Sequence, residues 1–283
     1  MSSLPMVSLV HQVLKTAPAV DVQSSVIQEL DKLLNGANVK AGQSVAVAVG
    51  SRGIVDLVEI ITTIITELKK RQLKPFIIPA MGSHGGATAQ GQQDVLKALG
   101  ICPEKLGIEI RAEIETEQLG TTSHGVPVHF SKTAITADHL LVCNRIKPHT
   151  IFSGSIQSGI QKMLTIGLGK ATGAAAYHRA AHDFPFEKIV SESVDIIASR
   201  ASIMGGISLL ENSNKEICTI EAIPFSQLAQ KEAALLKQAE SLMPRIPIKK
   251  IDQLIIDEIG KEISGSGLDT NVVGRKYNDH VSN

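Results

Sequence analysis

Lys162 and His178 stand sixteen residues apart in a stretch whose residue types are costly to bury together. From Asn144 to His182 the chain reads NRIKPHTIFSGSIQSGIQKMLTIGLGKATGAAAYHRAAH, which sets three His and five Gly among apolar residues and several cations. Charges and imidazoles in an apolar, glycine-broken frame work against stability, and such stretches usually mark a site. A lysine amine and an imidazole placed there have the chemistry to hold a cofactor.

Other residues compete for that role. His178 and His182 are i,i+4 and would share one helix face, a spacing that can bind a metal. Arg179 stands where a zinc protease would carry its glutamate, so the pair is equally well read as structural or exposed. His84, in Gly82-Ser-His-Gly-Gly86, is a candidate acid or base near neutral pH, or a loop residue bonded to its own backbone. Arg52, in Gly50-Ser-Arg-Gly53, suits a carboxylate or phosphate, or plain solvent. His149 follows Lys147-Pro148, where the proline fixes the entry to a turn. Gly167-Leu-Gly-Lys-Ala-Thr-Gly173 resembles a dinucleotide turn with one residue too many. It fails as a Walker loop, with Leu164 at the first glycine position and Ala171 at the magnesium-binding hydroxyl.

The elements that must position these residues alternate. Short apolar runs at 44–49, 75–80, 107–112, 126–130, 139–144, 202–210 and 216–223 read as strands. Helical spacing marks 54–71, 88–99, 171–182, 186–199 and 226–242, with Gly100 as a left-handed stop. The pattern predicts an α/β fold with a wound, mostly parallel sheet and flanking helices. Functional loops would leave the carboxyl ends of its strands, and Arg52, His84 and His149 meet only if their strands are neighbours. The proline-rich 243–250 reads as a linker. A further strand at 251–257 and the glycines of 260–274 read as the start of a second α/β domain, incomplete at the last residue. Domains of 1–245 and 246–283 are expected.

Composition narrows the function. The chain has 283 residues with 28 basic and 28 acidic side chains, so neither nucleic acid nor an anionic membrane is the expected partner. It has no Trp and only 3% aromatic residues, which disfavours base-stacking surfaces. No apolar window is long enough for a membrane span and no signal peptide is visible. Cys102, Cys143 and Cys218 lack any paired spacing and read as reduced core thiols of a cytoplasmic protein.

Taken together, Arg52 after the first strand, His84 in a G-x-H loop, His149 ahead of G-x-x-K, Lys162, and His178 sixteen residues later resemble the lactate racemase family. The K-P-H-T wording at 147–150 and S-G-x-x-K-M-L at 158–164 is similar to an uncharacterised branch of it. The likeness runs over about residues 40 to 275. It implies an isomerase that racemises or epimerises a small 2-hydroxy acid by reversible hydride transfer to a nickel-pincer nucleotide. Lys162 would anchor the cofactor covalently and His178 would ligate nickel through a neutral imidazole. Arg52 would bind the substrate carboxylate beside the cofactor, and His84 and His149 would take and return the hydroxyl proton on opposite faces. Where the family carries an acidic residue three positions before the arginine, this chain has Val49. Members also run much longer, so an oligomer or a separate complementary C-terminal half is an expected partner. Two alternatives remain: a cofactor-holding remnant without turnover, and a dinucleotide-dependent oxidoreductase using 167–173.

Overall fold

The computed structural model describes residues 6–14, 16–260, 264 and 267–274. Helix α1 (Val22–Gly36) leads into β1 (Ser44–Val49), α2 (Leu57–Lys70), β2 (Lys74–Pro79), α3 (Ala89–Ala98) and the single turn α4 (Pro103–Leu106). A hairpin of β3 (Thr116–Thr121) and β4 (Pro127–Ser131) is followed by the turn α5 (Lys132–Ile135) and by β5 (His139–Arg145). Next come α6 (Ile160–Lys162), a π-helical turn over Met163–Gly167, α7 (Lys170–Ala180) and α8 (Phe186–Ala198). Strands β6 (Ile203–Glu211) and β7 (Ile217–Pro224), helix α9 (Leu228–Leu242) and the turn α10 (Thr270–Val273) complete the order.

Five strands form one sheet in the order β2-β1-β5-β6-β7. All neighbours are parallel except β7 against β6. The SVAVAV sequence of β1 explains its central place, because both of its faces are apolar. Val45, Val47 and Val49 join the core under α1 and α2, with Ile60, Ile61 and Ile64. Ala46 and Ala48 join the core on the other face, where Ile160, Met163, Leu164, Val190, Val194, Leu235 and Leu236 pack. The small alanines let the segment that carries Lys162 lie close to the sheet. Thr88 caps α3 by accepting from Gly91 N at 3.0 Å, where the sequence puts the helix start.

The wound α/β expectation holds, and several elements differ. Helix α1 lies outside the expected elements, although Val22, Val26, Leu30 and Leu33 recur at helical spacing behind the capping Asp21. The run at 107–112 contributes one bridge, Ile77 to Ile110, instead of a strand. Strand β4 pairs with β3 in a separate hairpin, and β3 was not legible because its TEQLGT sequence lacks apolar alternation. No strand forms at 251–257. Ile251, Leu254, Ile255 and Ile256 are instead exposed, since an apolar run with no neighbour to exchange hydrogen bonds with cannot become a strand. The remainder of the expected second domain beyond 274, and parts of 261–266, lie outside the described residues. The three cysteines are buried and free, as expected. No helix among the described residues is long and apolar enough to cross a membrane.

Candidate functional site

Three parallel strands bring the site's loops to one edge of the sheet. Strand β1 sits between β2 and β5, so the loops after them, carrying Arg52, His84 and His149, leave side by side at the carboxyl ends. That adjacency is the condition the sequence left open.

The loops are stitched together by short polar contacts. Ser51 Oγ hydrogen-bonds His84 Nδ1, joining the Arg52 turn to the histidine turn. Gly82 N donates to Gly167 O at 3.0 Å, joining the histidine turn to the π-helical turn after Lys162. Gln92, fully buried in α3, donates from Nε2 to Gly82 O at 2.9 Å and to His84 O at 3.4 Å. Helical turns with i→i+5 bonding recur at functional sites, and the one beside Lys162 fits that tendency.

Lys162 is the centre of the arrangement. Its Nζ donates to Gln157 O at 3.3 Å and stands 5.3 Å from the Phe152 ring centroid and 5.7 Å from that of Phe186. The two rings stack at 4.1 Å, and His149 stacks on Phe152 at 4.6 Å. By surface area Lys162 is only half-buried, but protein crowds the amine itself. That burial, with the positive charge of Arg52, pushes its pKa down to about 7. A large fraction of the amine is therefore unprotonated and nucleophilic at neutral pH. His178, on α7, is also held below its ordinary value, first by burial and then by the charge of Lys162. Arg52 and His178 thus both lie within electrostatic reach of the same amine, His149 stacks on the ring beside it, and His84 is joined to the Arg52 turn through Ser51.

The two histidines expected to carry protons are not equivalent. His149 Nδ1 accepts from Ile151 N at 3.1 Å and Phe152 N at 3.2 Å, which leaves the proton of the neutral ring on Nε2. His84 Nδ1 faces the Ser51 hydroxyl, which can donate or accept, so either tautomer suits it. Gln157 couples His149 to Lys162: its side-chain oxygen accepts from His149 N at 2.9 Å while its carbonyl holds the amine. The far end of the chain also reaches this loop. Thr270 Oγ1 donates to Thr150 O at 2.6 Å and Asn271 Nδ2 to His149 O at 3.2 Å. Phe152, Phe186 and Gln157 carry no motif that would single them out in the sequence.

Two expectations are corrected. Helix α7 ends at Ala180, so His182 lies in the following turn and does not extend the helical face of His178. The glycines at 167–173 do not form an open phosphate turn. Gly167 closes a π-helical turn instead of following a strand, and a Cβ on it would meet Ala80 O at 2.7 Å, so the glycine serves close packing. Val49, in the acidic position of the family, is buried in the α2-side core and brings no charge to the site.

The donor set also says what kind of metal could be held. No group of three or more His, Cys, Asp or Glu among the described residues could bind an ion. One neutral imidazole beside one reactive amine cannot retain a bare cation. A metal that arrives with donors of its own would ask no more of the chain than such a pair.

Comparison with known proteins bears on the family and the fold. Residues 7–187 match the family described as the lactate racemase N-terminal domain. Among solved structures, the lactate racemase apoprotein from Thermoanaerobacterium thermosaccharolyticum aligns with a TM-score of 0.59 and 17% identity, over 82% of this chain and 58% of that one. A protein from Thermotoga maritima aligns with a TM-score of 0.57 and 16% identity, over 78% of this chain and 60% of that one. These likenesses show a shared fold, and the chain spans about three fifths of the length of each structure. Comparison with curated proteins finds no match. The family match covers well over half of the sequence, and the chain belongs to the lactate racemase N-terminal domain family.

Proposed function

We propose that this chain is the cofactor-bearing part of a 2-hydroxy acid racemase or epimerase, with a nickel-pincer nucleotide attached to Lys162. The observation that carries the reading is the Lys162 amine, set against the Phe152 and Phe186 rings, with a pKa lowered to about 7 by burial and by the charge of Arg52, and with His178 within its electrostatic reach. When bound, the cofactor supplies a reversible hydride acceptor and nickel.

The chain's own residues then have separate tasks. Lys162 forms the tether, and His178 offers a neutral imidazole nitrogen to the metal. Arg52 pairs with the substrate carboxylate, a match of planar groups that fixes which carbon faces the cofactor. His84 takes the hydroxyl proton, since its tautomer can follow the Ser51 hydroxyl. His149 presents an N–H to the substrate oxygen, because its Nδ1 is occupied by two backbone donors. The Phe152 and Phe186 rings exclude water from the amine. The substrate is a small 2-hydroxy acid, and the soluble surroundings expected from composition are the cytoplasm.

The test is intact-mass analysis after co-expression with the enzymes that make the cofactor, followed by chiral chromatography of several 2-hydroxy acids. An adduct on Lys162 with inversion of one acid is the expected result. An adduct without inversion would reassign the chain as a cofactor-holding protein. No adduct on any residue would end the proposal.

A further inference from the structure

The turn carrying Lys162 begins abruptly. Gly159 sits at φ +88°, and helix α6 starts at the next residue with no side chain of its own segment capping it. The first N–H groups of a helix have no partner within it and must find one elsewhere. Here the partner comes from α9, about seventy residues further on: Glu232 accepts from Ile160 N through Oε1, and from Gln161 N at 3.2 Å and Gln161 Nε2 at 3.1 Å through Oε2. Glu232 is 3% exposed. A Cβ on Gly159 would collide with its carboxylate, so the glycine both turns the chain and leaves room for the acid.

A buried carboxyl is an expensive way to cap a helix, since Ser, Thr or Asp at the preceding position does so at the surface. Here three N–H donors favour the carboxylate, yet burial outweighs them and pushes the Glu232 pKa up to about 7. The donors it holds belong to the two residues immediately before Lys162. The same short segment then passes into the π-helical turn that contacts the His84 loop.

We propose that Glu232 is the positioning residue for Lys162: by gripping Ile160 and Gln161 it fixes the turn that keeps the amine against Phe152 and Phe186 and away from water. This rests on Lys162 being the working amine. The charge that acts on that amine is Arg52, the amine in turn lowers the pKa of His178, and Glu232 acts through the backbone.

The reactivity of the amine tests this without any cofactor. The full chain is acylated with N-hydroxysuccinimidyl acetate across pH 6 to 10, and labelling is quantified by peptide mass spectrometry at Lys162 and, as an exposed control, at Lys97. In the parent chain Lys162 labelling reaches its midpoint near pH 7. In Glu232→Gln and in Gly159→Ala the midpoint moves up by at least one unit, which cuts labelling at pH 7 about fivefold or more, while Lys97 is unchanged. Gln161→Met, which removes one of the three bonds, shifts it less in the same direction. If Glu232→Gln does not fold, the Gly159→Ala profile decides between the outcomes. A folded variant with a lower melting temperature but an unmoved Lys162 profile would make Glu232 merely structural and overturn the proposal. Failure of the racemase reading looks different: the variants show these shifts, but the parent chain never takes an adduct.

Discussion

Two lysines eight residues apart are both drawn into the protein, and they differ in what meets the amine. Lys170 is 1% exposed; its Nζ donates to Pro79 O at 2.7 Å and Gln92 Oε1 at 3.2 Å, and burial lowers its pKa to about 8. Lys162 has one long hydrogen bond among the described residues and two aromatic rings, and its pKa falls to about 7. The nearby Glu113 and Glu115 charges support the protonated form of Lys170, whereas Arg52 opposes that of Lys162. One amine is satisfied by fixed acceptors and ties the end of β2 to α3; the other is the one proposed to take the cofactor. Depth alone does not separate a structural lysine from a reactive one; the partners at the nitrogen do.

The sharpest way to break this contrast is to exchange the losses. Lys162→Ala should abolish cofactor attachment completely, read as the absence of the adduct by intact mass, while Lys170→Met should keep it. His84→Ala should leave attachment intact and lower turnover by about 10²- to 10⁴-fold, the usual weight of a general base. Stability should divide in the opposite sense. Lys170→Met leaves Pro79 O and the Gln92 amide oxygen buried without their donor, which costs about 2–3 kcal/mol in urea unfolding. Lys162→Met retains the packed stem and removes an amine with little to lose, so a cost of under about 1 kcal/mol is expected. Equal losses of stability in the two variants would erase the distinction.

Much of the positioning frame was legible in the sequence, because SVAVAV, the glycine loops and the helical spacing of α2 each have a single physical solution. Arg52, His84 and His149 were singled out by type and by their place after strands, and Lys162 and His178 by their interval, while the roles proposed for them come from the family resemblance. What stayed hidden was whatever depends on distant partners. Glu232 lies in an ordinary amphipathic helix, and nothing in QKEAALL announces that one carboxylate turns inward. Phe152 and Phe186 are unremarkable until the fold stacks them. The strand expected at 251–257 failed for the same reason: a run of isoleucines records apolar character, but pairing belongs to a neighbour that the run itself cannot specify. His182 shows the reverse error, where helical periodicity was carried two residues past the end of α7.

The smallest effect expected is also the one that tests the electrostatic difference between the two amines most directly. Each binds its proton less tightly in the folded chain than in the unfolded one. Folding therefore sheds a proton between the folded value and the ordinary 10.5, and stability climbs as pH rises through that window. For Lys162 the climb begins near pH 7, and for Lys170 near pH 8. Solvent reaches part of Lys162, so its share is on the order of 1 kcal/mol or less. Urea midpoints measured from pH 6.5 to 10 should show Lys162→Met losing the rise between pH 7 and 8 and keeping the Lys170 share of the rise above 8. Lys170→Met should keep the early rise and climb less steeply above pH 8. A Lys162→Met curve parallel to that of the parent chain would mean that the amine is solvated after all, and the site would lose the feature that makes it reactive.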